Sequence, residues 1–245
     1  MNNALLASHT SVLILAAGRG ERMRELTQNT PKPLIRLGHQ SLIEHHLQRL
    51  AALGFKHIVI NIAYLADQIP AALGDGSRYG VSIQYSDESA SGALETAGGI
   101  AKALPLLKSD HFIVINSDIF TDFNYRQLLN MQDEQGQLVL VPNPQHHPQG
   151  DFGLNQQGVI VRKKKDEPSY TFSGIARYAK SLFEGLPISK QALAPIFDLL
   201  IQQGVLHGHV YRGLWQDIGT PERLREIEQR LAIKAVPENS TAPDA

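Results

Sequence analysis

Cysteine is absent from the chain. That removes disulfides and thiolate metal sites, and it favours a reducing compartment. Charge of one sign is also missing, since 23 basic and 24 acidic residues leave a formal net charge of −1. Without a basic surplus there is no general electrostatic grip on nucleic acid or on an anionic membrane. No stretch reaches the ~20 uninterrupted apolar residues of a membrane helix. The apolar run from Ala4 to Ala17 does not read as a secretory signal, because no Lys or Arg precedes it and His9, Thr10 and Ser11 interrupt it. Internal repeats are missing too, including any hexapeptide repeat near the C-terminus. These absences lead to the expectation of a cytoplasmic monomer that binds neither nucleic acid nor membrane.

What is present is enough apolar material for one large domain: 245 residues, 42% of them hydrophobic. Ser11–Ala16, Ile58–Ile60 and Phe112–Ile115 are continuous apolar runs, as in strands buried on both faces, and Val81, Ile83 and Tyr85 alternate as a further strand. Helical stretches separate them. Ser41 and Glu44 have capping-box spacing ahead of Ile43, Leu47 and Leu50, and Gly54 closes that helix. Further helices are expected at about 65–73 and from Thr96 to Leu104. This alternation predicts an α/β fold, a Rossmann-like open, mixed and mostly parallel sheet. Later segments read as shorter antiparallel strands at Phe152–Leu154, Val159–Val161 and Tyr170–Tyr178. A helix with Pro195 in its first turn comes next, and then one capped by Thr220 with Pro221 at its first position. The expected division is a flexible extension over 1–10, a domain over 11–234 and a disordered tail over 235–245.

The glycines that leave the first strand define the chemistry. "LAAGRGERM", Leu15 to Met23, is a phosphate-cradling turn by its position after a buried strand. A Walker loop is excluded, because no Gly-Lys-Ser/Thr stands at the required spacing. A dinucleotide fingerprint fits poorly, since Met23 stands where a small residue must pack against the strand. Asp118 closes the third buried strand in "NSD", so it shares the crevice beyond the strand ends with the glycine turn. Backbone N–H groups around Gly18 and Gly20, the fork of Arg22, and Lys32 between two prolines are all suited to holding phosphates.

The longer run "LAAGRGERMRELTQNTPKPL" resembles the signature of the sugar-1-phosphate nucleotidyltransferases in Gly18, Gly20, Arg22, Thr27, Pro31, Lys32 and Pro33. The resemblance extends from about Ser11 to Leu231. "GDGSRYG", "LETAGGI", "NPQHHPQGDFGL" and "TFSGI" are similar to the branch that uridylylates N-acetyl-α-muramate 1-phosphate in bacterial cell-wall recycling. The resemblance implies UTP and a sugar 1-phosphate as substrates and Mg²⁺ as cofactor. It implies catalytic roles for Arg22, Lys32 and Asp118, and nucleotide contacts from Ala17, Gly18, Gly20, Glu21, Arg22 and Lys32. It places Glu95, Asn116, Asp151, Gly153 and Gly174 around the sugar, with Thr96 beside Glu95, and it pairs Asp118 with Asp217 on the metal. Two alternatives stay open: another acceptor such as glucose or mannose 1-phosphate, or a silent nucleotide-sugar sensor on the same fold. Asp166-Glu167-Pro168 lacks the lysine that many relatives carry there, which points away from the glucose 1-phosphate members. His146-His147 reads as the edge of a lid. Arg162–Asp166 reads as a solvated hairpin, or alternatively as the source of a cation for the lactyl carboxylate of a muramic acid.

Overall fold

Val12, Leu13 and Ile14 are completely buried, and the sheet is built outward from their strand. The computed structural model describes residues 3–130 and 135–235. β1 (Ser11–Leu15) lies between β4 (His57–Ile62) and β6 (His111–Asn116), parallel to both, with β5 (Ser82–Asp87) parallel beyond β4. On the other side β6 pairs antiparallel with β11 (Thr171–Ala179). β8 (Gly136–Val141) is next, again antiparallel, and β12 (Leu206–Val210) completes the edge parallel to β8. The seven-stranded order is β12-β8-β11-β6-β1-β4-β5. This is the mixed, mostly parallel sheet that the apolar runs predict.

Register decides where chemistry can happen. Leu15 pairs with Asn61 on one side and Asn116 on the other. The three central strands therefore end level, and the segments that leave their carboxyl ends open into one crevice. Two small additions frame it. A hairpin of β2 (Arg36–Leu37) and β3 (Gln40–Ser41) leads into α2 (Leu42–Ala52), and β9 (Phe152–Leu154) pairs with β10 (Ile160–Arg162). A second crossing strand pair, β7 (Ile119–Thr121) with β13 (Trp215–Asp217), is antiparallel, with Asp217 opposite Ile119.

The expected capping box forms at α2, where Ser41 N–H donates to Glu44 Oε2 at 2.8 Å. The remaining helices are α3 (Gln68–Leu73), α4 (Glu95–Ala103), α5 (Ala194–Gln203) and α6 (Pro221–Ala235). α3 begins later than its apolar pattern suggests because Leu65 takes φ +49, which a helix cannot include. The sequence predicts a flexible extension over 1–10, but residues 3–9 form helix α1 (Asn3–His9), with Ala7 fully buried. The tail expected to be disordered lies, beyond Ala235, outside the described residues.

Candidate active site

The turn after β1 wraps a cavity of about 520 Å³ lined by Ala17, Gly18, Gly20, Glu21, Arg22, Lys32, Glu95, Asn116 and Asp118 among others. Gly20 has φ +65, and a Cβ there would stand 3.0 Å from Lys32 Cβ. Glycine is needed at this position both for the left-handed backbone and for the close passage of the lysine. Thr27 Oγ1 ties the turn by donating to the Gly20 carbonyl at 3.1 Å. Lys32, only 8% exposed, sends Nζ to within 2.5 Å of Asp118 Oδ2. Arg22 stays solvent-exposed and borders both this cavity and its neighbour.

A buried polar chain braces one wall of the cavity. Asn61 Oδ1 accepts from Ala16 N–H at 2.7 Å, and Asn61 Nδ2 donates to Glu88 Oε1 at 2.7 Å. Glu88 is fully buried, and its Oε2 accepts from Leu94 N–H at 2.8 Å. One strand end is thereby tied through the next to the segment that starts α4. Glu95 opens that helix at φ +58, with Lys190 at 3.6 Å, and Thr96 lies beside it on the cavity wall. Asn61 and Glu88 are not among the residues the sequence singles out. Both close or directly succeed a strand at its carboxyl end, so the rule that picks Asp118 would have found them.

A second cavity of about 360 Å³ adjoins the first and shares Arg22, Asn116 and Asp118 with it. Asp151, Gly174, Asp217, His146, His147 and Arg223 line its far side. Asp118 and Asp217, far apart in sequence, meet because Ile218 N–H donates to the Asp118 carbonyl at 2.7 Å in the β7–β13 pair. Arg223, 8% exposed, forms an ion pair with Asp217 Oδ2. His146 Nε2 lies 2.8 Å from Arg223 Nη1 and 3.0 Å from Asp217 Oδ1. With that nitrogen accepting from the arginine, Asp217 Oδ1 is a buried carboxylate oxygen without a hydrogen-bond donor. His147 Nε2 is 2.9 Å from Asp151 Oδ1, while Asp151 Oδ2 accepts from Phe172 N–H at 2.8 Å. The two histidines thus each reach an acid of the site, a closer part than a lid edge plays.

Gly174 has φ +78 at the irregularity in β11, and a Cβ there would come within 2.6 Å of Asn116 Nδ2. Gly153 borders neither cavity; it pairs with Val161 in the β9–β10 hairpin. The basic run is spent elsewhere as well. Arg162 pairs with Asp198 at 2.8 Å, Lys164 with Glu167 at 3.2 Å, and Lys163 donates to the Gly150 carbonyl at 2.7 Å. None of these cations borders the second cavity, so the alternative role for them at a sugar carboxylate is set aside. Lys163 instead holds the loop that carries the two histidines.

Residues 11–233 match the model of the nucleotidyl transferase family. The chain is 46% identical over 222 residues to the N-acetylmuramate alpha-1-phosphate uridylyltransferase of Neisseria meningitidis serogroup B, covering 88% of this chain and 96% of that protein. It is 29% identical over 231 residues to the mannose-1-phosphate guanylyltransferase of Mycobacterium tuberculosis, of which it spans 63%. Among solved structures, HddC from Yersinia pseudotuberculosis complexed with GMP-PN superposes with a TM-score of 0.76 at 23% identity, covering 91% of this chain and 99% of that one. A Bacillus anthracis structure in complex with a sucrose reaches 0.79, also at 23% identity, over 94% and 98% of the two chains. At these identities the two structures speak for the fold.

Proposed function

The chain belongs to the nucleotidyl transferase family, and on that premise we propose that it transfers UMP from UTP to N-acetyl-α-muramate 1-phosphate, giving UDP-N-acetylmuramate and pyrophosphate. The observation that carries the choice of substrates is the 46% identity, across nearly the whole of both chains, with the meningococcal uridylyltransferase. The reading places the reaction in peptidoglycan recycling in the cytoplasm.

In this reaction an oxygen of the sugar phosphate forms a bond to the α-phosphorus of UTP. The bond from that phosphorus to the bridging oxygen breaks, and pyrophosphate leaves with the electron pair. The nucleophile is already an anion near neutral pH, so no general base is required. The obstacle is the approach of two polyanions, and the remedy is fixed positive charge and alignment. In this reading the 520 Å³ cavity receives UTP and the 360 Å³ cavity the sugar phosphate, meeting at Arg22, Asn116 and Asp118. Backbone N–H groups of the Gly18–Gly20 turn face the triphosphate. Arg22 forks onto the leaving phosphates, and Lys32 sits between the α-phosphate and the incoming sugar phosphate. Asn116 and Asp151 orient the sugar, with Gly174 leaving room for the Asn116 side chain.

Mg²⁺ fits the acidic pair. Asp118 and Asp217 are brought together by backbone pairing, and Asp217 Oδ1 is buried without a hydrogen-bond donor. Two carboxylates, completed by substrate phosphates and water, suffice to hold a Mg²⁺. When bound, the ion supplies charge neutralisation for the phosphates.

The test compares wild type with Asp118→Asn and Asp217→Asn for Mg²⁺-dependent pyrophosphate release from UTP and N-acetyl-α-muramate 1-phosphate. We expect each variant to lose roughly 10²–10³-fold in kcat while UTP still binds by calorimetry and the circular dichroism is unchanged. UTP binding without turnover in the wild type would make the chain a nucleotide-sugar sensor instead.

A further inference from the structure

Arg223 is a buried cation for which its own helix has no use. It is the third residue of α6, after Pro221 and Glu222. A positive charge in a first helical turn opposes the helix dipole, so the helix gains nothing from it there. The fold nevertheless makes room for the side chain. A Cβ on Gly219 would overlap Arg223 Nη2. Gly219 borders the larger cavity and Arg223 the smaller, so the guanidinium lies at the division between the two.

The guanidinium does two things there. It forms the ion pair with Asp217 Oδ2, and the same Nη1 lies 2.8 Å from His146 Nε2. A guanidinium nitrogen donates and cannot accept, so Nε2 is the acceptor and the ring proton of His146 stands on Nδ1. Nε2 is also 3.0 Å from Asp217 Oδ1 but has no proton to give it. Oδ1 accordingly completes no hydrogen bond among the described residues. Without the guanidinium, the imidazole would be free to carry its proton on Nε2, donate to Oδ1 and close it.

We propose that Arg223 is a positioning residue for the divalent cation of the acid pair. It holds Asp217 by Oδ2, and it fixes the His146 tautomer that leaves Oδ1 open. The inference rests on the reading that Asp118 and Asp217 hold Mg²⁺. Groups that hydrogen-bond a ligating carboxylate fix its orientation and thereby the affinity for the metal. The sign of the effect tells this role from a plain electrostatic one. By charge alone, deleting a cation beside the two acids would tighten metal binding. Deleting a positioning residue loosens it.

The experiment is a Mn²⁺ titration of the full chain read by electron paramagnetic resonance, with Mg²⁺ as competitor, beside ¹⁵N-histidine NMR of His146. The ring proton of His146 should stand on Nδ1 in wild type and on Nε2 in Arg223→Ala. Mn²⁺ should bind Arg223→Ala roughly 10–100-fold more weakly than wild type, and raising Mg²⁺ should recover the kcat of this variant. Adding His146→Ala to Arg223→Ala should restore part of the affinity, because no imidazole is left to close Oδ1. Gly219→Ala, which displaces the guanidinium without removing it, should also weaken Mn²⁺ binding. Mn²⁺ binding to Arg223→Ala as tight as to wild type or tighter, or a wild-type His146 with its proton on Nε2, would overturn the proposal. Asp217→Asn tests the underlying reading separately. If it binds Mn²⁺ as wild type does, or if wild type binds none, the acid pair is not the metal site and the proposal falls with that reading.

Discussion

Lys32 and Asp118 lie 86 positions apart in the chain and 2.5 Å apart in space. The pairing holds the lysine on the wall of the larger cavity, where the proposed reaction needs a positive charge. Arginine cannot replace that point charge in a slot bounded by Gly20 and Thr27. Lys32→Arg and Lys32→Ala should both lower kcat by about two to three orders of magnitude, read in a pyrophosphate-release assay. The melting temperature should change little for the alanine variant, because Asp118 is 28% exposed and water can take over its solvation. His46 governs a different property. Its pKa falls from 6.5 to about 4 on burial, so between these values the unfolded chain binds a proton that the folded chain refuses. Stability is therefore complete above pH 6.5 and is lost as the pH falls toward 4, by on the order of 3 kcal/mol for this group. Denaturant titrations at pH 7.5 and pH 5 should show about 2 kcal/mol of this loss in wild type and less in His46→Gln; equal losses would remove His46 as the cause.

The elements reach the site by routes of unequal visibility. The strands β1, β4 and β6 announce themselves as apolar runs, because a strand buried on both faces has few polar positions to blur the pattern. The glycine turn, Arg22, Lys32 and Asp118 are legible because they stand just beyond those strands. Arg223 and His146 carry no such mark. Arg223 looks like any cation in the first turns of an amphipathic helix, and only the pairing of β13 with β7 turns it toward Asp217. Glu88 could have been found by its place directly after a strand end, and only its complete burial is hidden, since nothing in "SDESASG" tells a buried acid from a solvated loop. Gly153 resembles a site residue in the text but is a hairpin residue in the fold. Gly174, expected at the site on the same grounds as Gly153, does line the second cavity. With φ +78 and Asn116 inside the reach of a Cβ, Gly174→Ala should cost about 2–3 kcal/mol of stability. It should also raise KM for the sugar phosphate more than KM for UTP, because the proposed reading sets the displaced Asn116 side chain against the sugar. A rise shared equally by both substrates would contradict the division between the two cavities.

The whole molecule is a level row of strand ends with one glycine turn and two acids gathered above it. That arrangement accounts for nucleotidyl transfer; the identity of the acceptor rests on the likeness to the meningococcal enzyme. The most direct measurement is the product formed by purified protein with Mg²⁺, UTP and each of N-acetyl-α-muramate 1-phosphate, N-acetylglucosamine 1-phosphate, glucose 1-phosphate and mannose 1-phosphate. Products are identified by mass spectrometry, and dTTP, CTP and GTP run in parallel. UDP-N-acetylmuramate and pyrophosphate should be the dominant products, with kcat/KM for that pair of substrates at least about tenfold above every other. A clear preference for another sugar or another base would contradict the proposed substrates.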